Sequence, residues 1–153
     1  MLGQSGVGLA VKAGAPRPAI GTLEEFKSAL QAAQSVAHSK AGASGLYFAG
    51  LIDRLGLRER IKRIIVVEKG PVGRVVASGE AELGVQQLCE LAPVPGIDIV
   101  GPLPDEIQRT TSFSAGIPAA TADRKAAEVL LEFLTSAPAK AEMARGGLVS
   151  VPD

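Results

Sequence analysis

An α/β domain with a largely parallel sheet flanked by helices is the fold class this chain predicts, and three observations carry it. Short apolar runs of strand length alternate with segments of helical periodicity. Glycine and proline punctuate the junctions between them. A run of small residues, Ser39 to Gly45, joins one such strand to one such helix. The 153 residues and 46% hydrophobic content suffice for one sizeable core.

In chain order, Gly6 to Ala13 (GVGLAVKA) alternates small and apolar residues, and Pro16 and Pro18 follow, so a strand runs into a loop that cannot rejoin a sheet. Thr22 opens a helix: Thr22 and Glu25 have capping-box spacing, and Leu23, Phe26, Leu30 and Ala33 form its apolar stripe. Ser35 to His38 (SVAH) reads as a buried strand leading into the small-residue loop. In the helix after that loop, Phe48, Leu51, Ile52 and Leu55 share one face, and Gly56 supplies the stop. Ile64 to Val67 predicts a strand buried on both faces.

Gly70, Pro71 and Gly73 introduce a second helix start, with Pro71 in the first turn, Val72, Val75 and Val76 on its buried side and Gly79 at its end. Gly79 to Leu88 predicts a turn and then a strand ending at Gln86 and Gln87. Ile97 to Val100 is a further strand, and Thr110 to Ala119 is β-compatible up to Pro118. From Asp123 the pattern is helical: Ala127, Leu130, Leu131 and Leu134 hold one face, widened by Ala126, Val129 and Phe133. Pro138 starts a shorter helix that ends near Gly146 and Gly147.

Composition excludes several function classes. Sixteen basic and sixteen acidic residues give no electrostatic footprint for nucleic acid or a membrane surface. Aromatic content of 3% with no Trp supplies poor stacking platforms. One cysteine, Cys89, and one histidine, His38, argue against an intrachain disulfide, a thiolate cluster or a zinc site, so no metal and no cofactor is expected. The opening residues MLGQSG lack the features of a secretory signal, and no apolar run reaches membrane-spanning length, so a soluble chain without membrane insertion is expected.

Chemistry concentrates at the small-residue loop. Ser39 to Gly45 holds two glycines, two alanines and two serines, leaving the first-turn N–H groups of the next helix unshielded at the positive end of its dipole. That is the chemistry of an anion pocket. The plainer alternative is that Ser44 is a helix cap and the glycines are turn formers. His38 precedes Ser39 directly and would be the base of any serine nucleophile, but adjacent strand residues point to opposite faces, which favours a core histidine. No carboxylate pair suggests acid–base catalysis, and GPVGRV matches neither phosphate-binding fingerprint.

Three segments in this order and spacing, SKAGASGLYFAGLIDRLG, GPVGRVVASGEAELGVQQLCELAPVPGIDIVGPLP and FSAGIPAATADRKAAEVLLEFLTS, resemble the periplasmic substrate-binding component of molybdate-type ABC transporters, within the type II solute-binding proteins. The resemblance covers roughly Gly6 to Gly147. It implies the second three-layer lobe of a two-lobed protein, with residues 6–120 forming the ligand-binding domain with both crossing strands. Residues 121–150 would form carboxyl-terminal helices that pack on a first lobe mostly missing from the sequence. It also implies ligand-binding positions: the backbone amides at Ser44 and Gly45, a second amide at Pro71 or Val72, and a side-chain donor at Gln87.

Proline has no N–H, so Val72 is the better second amide. The best-known molybdate binders carry tyrosine where Gln87 stands, so tungstate, sulfate or a small carboxylate fits as well as molybdate. Lys40 and Lys69 flank the two helix starts and would add attraction. The resemblance further implies an ABC permease as partner, a periplasmic location for the intact protein although the chain as written would stay cytoplasmic, no catalysis, and a homodimer or segment-swapped oligomer. Two other classes stand beside it: a cytoplasmic ligand-sensing module of the same fold, and a small α/β enzyme using Ser39 or Ser44.

Overall fold

A computed structural model of the chain describes residues 1–150. Strand β1 (Gly3–Lys12) leads through a proline-rich loop to helix α1 (Leu23–Ala32). Thr22 Oγ1 accepts from Glu25 N at 3.2 Å, and Glu25 Oε2 accepts from Thr22 N at 3.1 Å, the reciprocal capping that the spacing predicts. Phe26 and Leu30 point into the core. Next come β2 (Val36–Ser39), α2 (Ala43–Arg54) and β3 (Ile64–Val67). The chain continues through α3 (Val72–Ala77), β4 (Leu83–Gln87), the one-turn α4 (Leu88–Leu91) and β5 (Ile97–Pro102). A 3₁₀ turn at Asp105–Ile107, strand β6 (Thr110–Phe113) and helices α5 (Arg124–Thr135) and α6 (Ala137–Arg145) complete it.

The sheet runs β3-β2-β4-β1-β5, with β6 paired to the first residues of β1. Strand β2 is parallel to β3 and β4, whereas β1 is antiparallel to β4, β5 and β6. The expectation of a largely parallel sheet is therefore corrected to a mixed one. Buried strands of either direction read as continuous apolar runs, so composition reports burial and leaves direction open. Strand β1 serves two sheet segments: Gly3 to Gly6 pair with Phe113 to Thr110, and Val7 to Lys12 run between β4 and β5. That pairing also explains why β1 begins at Gly3, ahead of the apolar run.

Helices cover both sheet faces. On one, Phe26 and Leu30 of α1 and Phe48, Leu51 and Ile52 of α2 pack with Leu9, Val11, Val36 and Val85. On the other, Val72 and Val76 of α3 pack with Ala37 and Ala81. Contact there is close: a Cβ at Gly84 would lie 2.5 Å from Val76 Cγ2. Strand β3 is not buried on both faces as expected, because it forms the sheet edge, where Val66 is 46% exposed. β6 ends at Phe113, short of the run to Ala119, and α4 and the 3₁₀ turn are too short to carry a period.

Asp123 caps α5 and Ser136 caps α6. None of the α5 residues is buried, and Val129, Leu130 and Phe133 stay 60%, 58% and 60% exposed. Phe48 is fully buried and anchors α2 to the sheet. Phe48→Ala is expected to destabilise the fold by about 3–5 kcal/mol, read from urea titration with circular dichroism; a loss below about 1 kcal/mol would show that α2 is held by other contacts.

Candidate anion site

Helix α2 starts where it does because two glycines let it. At Ser39 the chain leaves β2, and Lys40 N extends the pairing by donating to Val67 O at 2.9 Å. Gly42 then takes a φ of 93°, a conformation that side chains with a Cβ rarely adopt, and stands as the N-cap of α2. Three residues on, Gly45 sits against the end of β2: a Cβ there would fall 2.0 Å from Ser39 O and 2.3 Å from Ser39 Oγ. The first turn of α2 is thus pressed onto the carboxyl edge of the sheet.

That turn carries no cap. The first closure in the helix is Leu46 N to Gly42 O at 3.1 Å, and no side chain caps α2. Among the described residues the N–H groups of Ala43, Ser44 and Gly45 donate to nothing, while α1, α5 and α6 each have a side-chain cap. Ser44 is at N2 of the helix, not its cap, and both Ser44 and Gly45 are buried. Free amides at a helix start favour negative charge by hydrogen bonding and by the helix dipole together.

The other expected donors are engaged inside the protein. Pro71 is the N-cap of α3, and Val72 N, fully buried, donates to Gln86 Oε1 at 2.9 Å. Successive residues of β4 face opposite sides of the sheet, so Gln86 reaches α3 and Gln87 reaches β1 and β6. In the amide orientation that satisfies both ends, Gln87 donates to Gly6 O at 3.1 Å and Ser5 O at 3.2 Å and accepts from Thr111 Oγ1 at 2.6 Å. Ser44 and Gly45 stand together at the start of α2, whereas Val72 lies on α3 behind Gln86. Lys40 pairs with Glu68 at 2.8 Å, away from any free role at the loop.

An open crevice of about 870 Å³ runs along the outer side of α2, lined by Ala43, Leu46, Tyr47 and Arg54 and by Arg109, Thr110 and Thr111. Its far wall is held in place by several bonds. Tyr47 Oη donates to Ile107 O at 2.7 Å. The Gln108 side chain accepts from Val7 N and Arg109 N, each at 2.8 Å, and donates to Val7 O at 3.0 Å. Arg54 lies over the Tyr47 ring, 5.5 Å from its centre. The sequence reading missed Tyr47, Arg54, Arg109 and Thr111, since a lone arginine beside a strand has no periodicity to flag it. A second crevice, of about 590 Å³, lies beside the capped start of α1 and carries Asp105 and Glu106, which repel an anion.

His38 is a core residue. It is 4% exposed, stacks obliquely on Phe48 at 5.5 Å and places Nδ1 2.9 Å from Ser39 O. Burial holds its pKa below the usual 6.5, against the hydrogen bond to Ser39, and nearby Arg58 pushes the same way as burial. A folded pKa below the unfolded one means that the unfolded chain takes up the proton first as pH falls. Stability is expected to be complete above pH 6.5 and to decline as pH drops from there toward the folded pKa. Asp53, held down by Arg58, and Asp98, held down by Gly14 N–H, act only below their usual 3.8. His38→Phe should flatten the urea midpoint between about pH 7 and about pH 5; an unchanged slope would place the proton uptake elsewhere.

The family profile described as bacterial extracellular solute-binding protein matches residues 1–149. The chain is 43% identical over 153 residues to an aconitate isomerase of Pseudomonas sp, an alignment covering 99% of the chain and 58% of that relative's length. Among solved structures it is similar to the substrate-binding domain assigned to a molybdenum ABC transporter of Clostridium difficile, with a TM-score of 0.67 and 17% identity over 99% of the chain and 66% of that protein. It is also similar to the periplasmic molybdate-binding protein of Azotobacter vinelandii, with a TM-score of 0.61 and 20% identity over 99% and 69%. These two likenesses are of fold.

Proposed function

Because the chain belongs to the bacterial extracellular solute-binding proteins, we propose that it is the anion-gripping lobe of such a protein, taking one negatively charged group at the Ser44 and Gly45 amides. The observation that carries this is the uncapped first turn of α2, pressed onto the end of β2 with its N–H groups unused. A small carboxylate is favoured over molybdate: the 43% identity is to an aconitate isomerase, while the molybdate binders are at 17% and 20% and speak for fold. Delivery to an ABC permease from the periplasm is the corresponding transport role. Neither Val72 nor Gln87 need touch the ligand; each holds an element that borders it.

A second reading, catalysis on an aconitate, is favoured by the name of that same relative. Isomerisation by proton transfer needs a base within hydrogen-bond reach. The crevice lining is suited to holding carboxylates through Arg54 and Arg109, and its Tyr47 hydroxyl is tied to Ile107 O, so capture is the reading these residues favour.

Titration of the full chain with sulfate and with trans-aconitate, followed by calorimetry and thermal shift, tests the site. Ser44→Ala keeps the N–H and is expected to bind within about threefold of the original, whereas Gly45→Ala must displace the first turn and should weaken both anions by about tenfold or more. Undiminished binding by Gly45→Ala would overturn the assignment.

The exposed face of α5 also bears on the reading. Val129, Leu130 and Phe133 form an apolar stripe of the kind that seeks a partner. The proposed two-lobed protein would cover it with its other lobe, and in this chain alone it is proposed to drive self-association. Light scattering of the chain should give a mass above that of one copy, and Phe133→Glu should restore the monomer; a monodisperse monomer at tens of micromolar would contradict this.

A further inference from the structure

The crevice along α2 contains more positive charge than one small anion needs. Arg17, Arg58, Arg124 and Arg145 each hold a carboxylate partner, on Asp98, Asp53, Glu128 and Glu142. Among the described residues five arginines form no ion pair, Arg54, Arg60, Arg63, Arg74 and Arg109, and of these Arg54 and Arg109 line the crevice together, with no carboxylate in its lining. Both side chains are exposed and neither has a countercharge in the crevice, so a bound dianion or trianion would supply one.

Both arginines are presented by fixed frames. The bonds of Gln108 to Val7 and to Arg109 N set the main chain at Arg109, and Tyr47 Oη on Ile107 O ties that segment to α2. Arg54 folds back along its helix, its Nη1 3.5 Å from where a Cβ on Gly50 would stand, and lies over the Tyr47 ring. Stacking of this kind orients a guanidinium and leaves its N–H fork free for a carboxylate. Thr111 lines the same wall and gives its one hydroxyl proton to the Gln87 side chain, so it fixes the wall and offers a carboxylate no donor.

We infer that this crevice is a subsite for an extended polycarboxylate, with Arg109 and Arg54 taking the carboxylates beyond the one held at the start of α2. The inference rests on the anion-capture reading and names its ligand class: a small carbon chain bearing two or three carboxylates, in preference to a compact tetrahedral oxyanion. Ala43 connects the two parts of the site, since it begins α2 and also lines the crevice. Charge-assisted pairs to guanidinium give the added affinity, and the spacing of carboxylates along the ligand gives the specificity.

The test compares trans-aconitate, extended and triply charged, with sulfate, compact and doubly charged, on the full chain and on Arg54→Gln and Arg109→Gln. Both substituted positions are exposed, so the fold is expected to survive, which circular dichroism checks. Each substitution should weaken trans-aconitate by about tenfold or more and change sulfate by less than about threefold. Unchanged trans-aconitate affinity in both variants, with Gly45→Ala still weakening both anions, would overturn the polycarboxylate subsite and leave the capture reading standing. Equal losses for the two anions would also overturn it, because the arginines would then act only as general positive charge. Binding of neither anion by the original chain would overturn the subsite and the capture reading together.

Discussion

The contact between Gly45 and the Ser39 carbonyl sets the position of everything at the ligand edge. With a 2.0 Å approach at the place of a missing Cβ, the first turn of α2 can rest directly on the end of β2. Any other residue at position 45 lifts the helix start away from the sheet. The lower part of α2 is fixed independently, because Phe48, Leu51 and Ile52 are buried against Val36 and Val85. A helix of twelve residues anchored that way tolerates an uncapped start: a missing side-chain cap costs about 1 kcal/mol, while burial of three large apolar side chains contributes several times that. Free amides at a defined point are the result.

Strand β4 carries the second constraint. Its last two residues are glutamines on opposite faces, and each fastens a different element. Gln86 takes the Val72 amide in the first turn of α3, so that helix start is locked to the sheet. Gln87 ties β4 to β1 and β6 through two carbonyls and the Thr111 hydroxyl. In a buried strand such side chains need partners, since an unpaired buried amide costs about 1–3 kcal/mol. The same requirement that satisfies them makes the far wall of the crevice continuous with the strand end.

Much of this was legible in the residues. The capping box at Thr22, the limits of β3, and the stripe of Phe48, Leu51 and Ile52 follow from spacing alone, because each depends on neighbours within a few positions. The turn at Ser39 to Gly45 was legible as a small-residue run beside a helix. Strand direction was not, nor was the edge position of β3, because both depend on which strands meet across long separations. The engagement of Val72 and Gln87 was hidden for the same reason: Gln86 lies 14 positions from Val72, and Thr111 lies farther still from Gln87. Arg54 and Arg109 line one crevice only because the segment ahead of β6 is tied to α2 through Tyr47 and Ile107.

Charge distribution joins these parts. The chain is neutral overall, with 16 groups of each sign, yet its crevice is positive because carboxylates elsewhere are taken up locally, Glu68 by Lys40 and Asp53 by Arg58. Neutrality at long range means little steering of distant anions; a positive crevice means discrimination only at contact. Such discrimination is weak while the crevice stands open, because water screens each pair, and it strengthens when a second surface excludes that water. Leu46, 66% exposed, leaves an apolar face on the crevice wall, where the other lobe of the proposed two-lobed protein would lie. Under the proposed capture role, affinity is therefore a property of the closed cleft, and this lobe supplies its geometry and its charge.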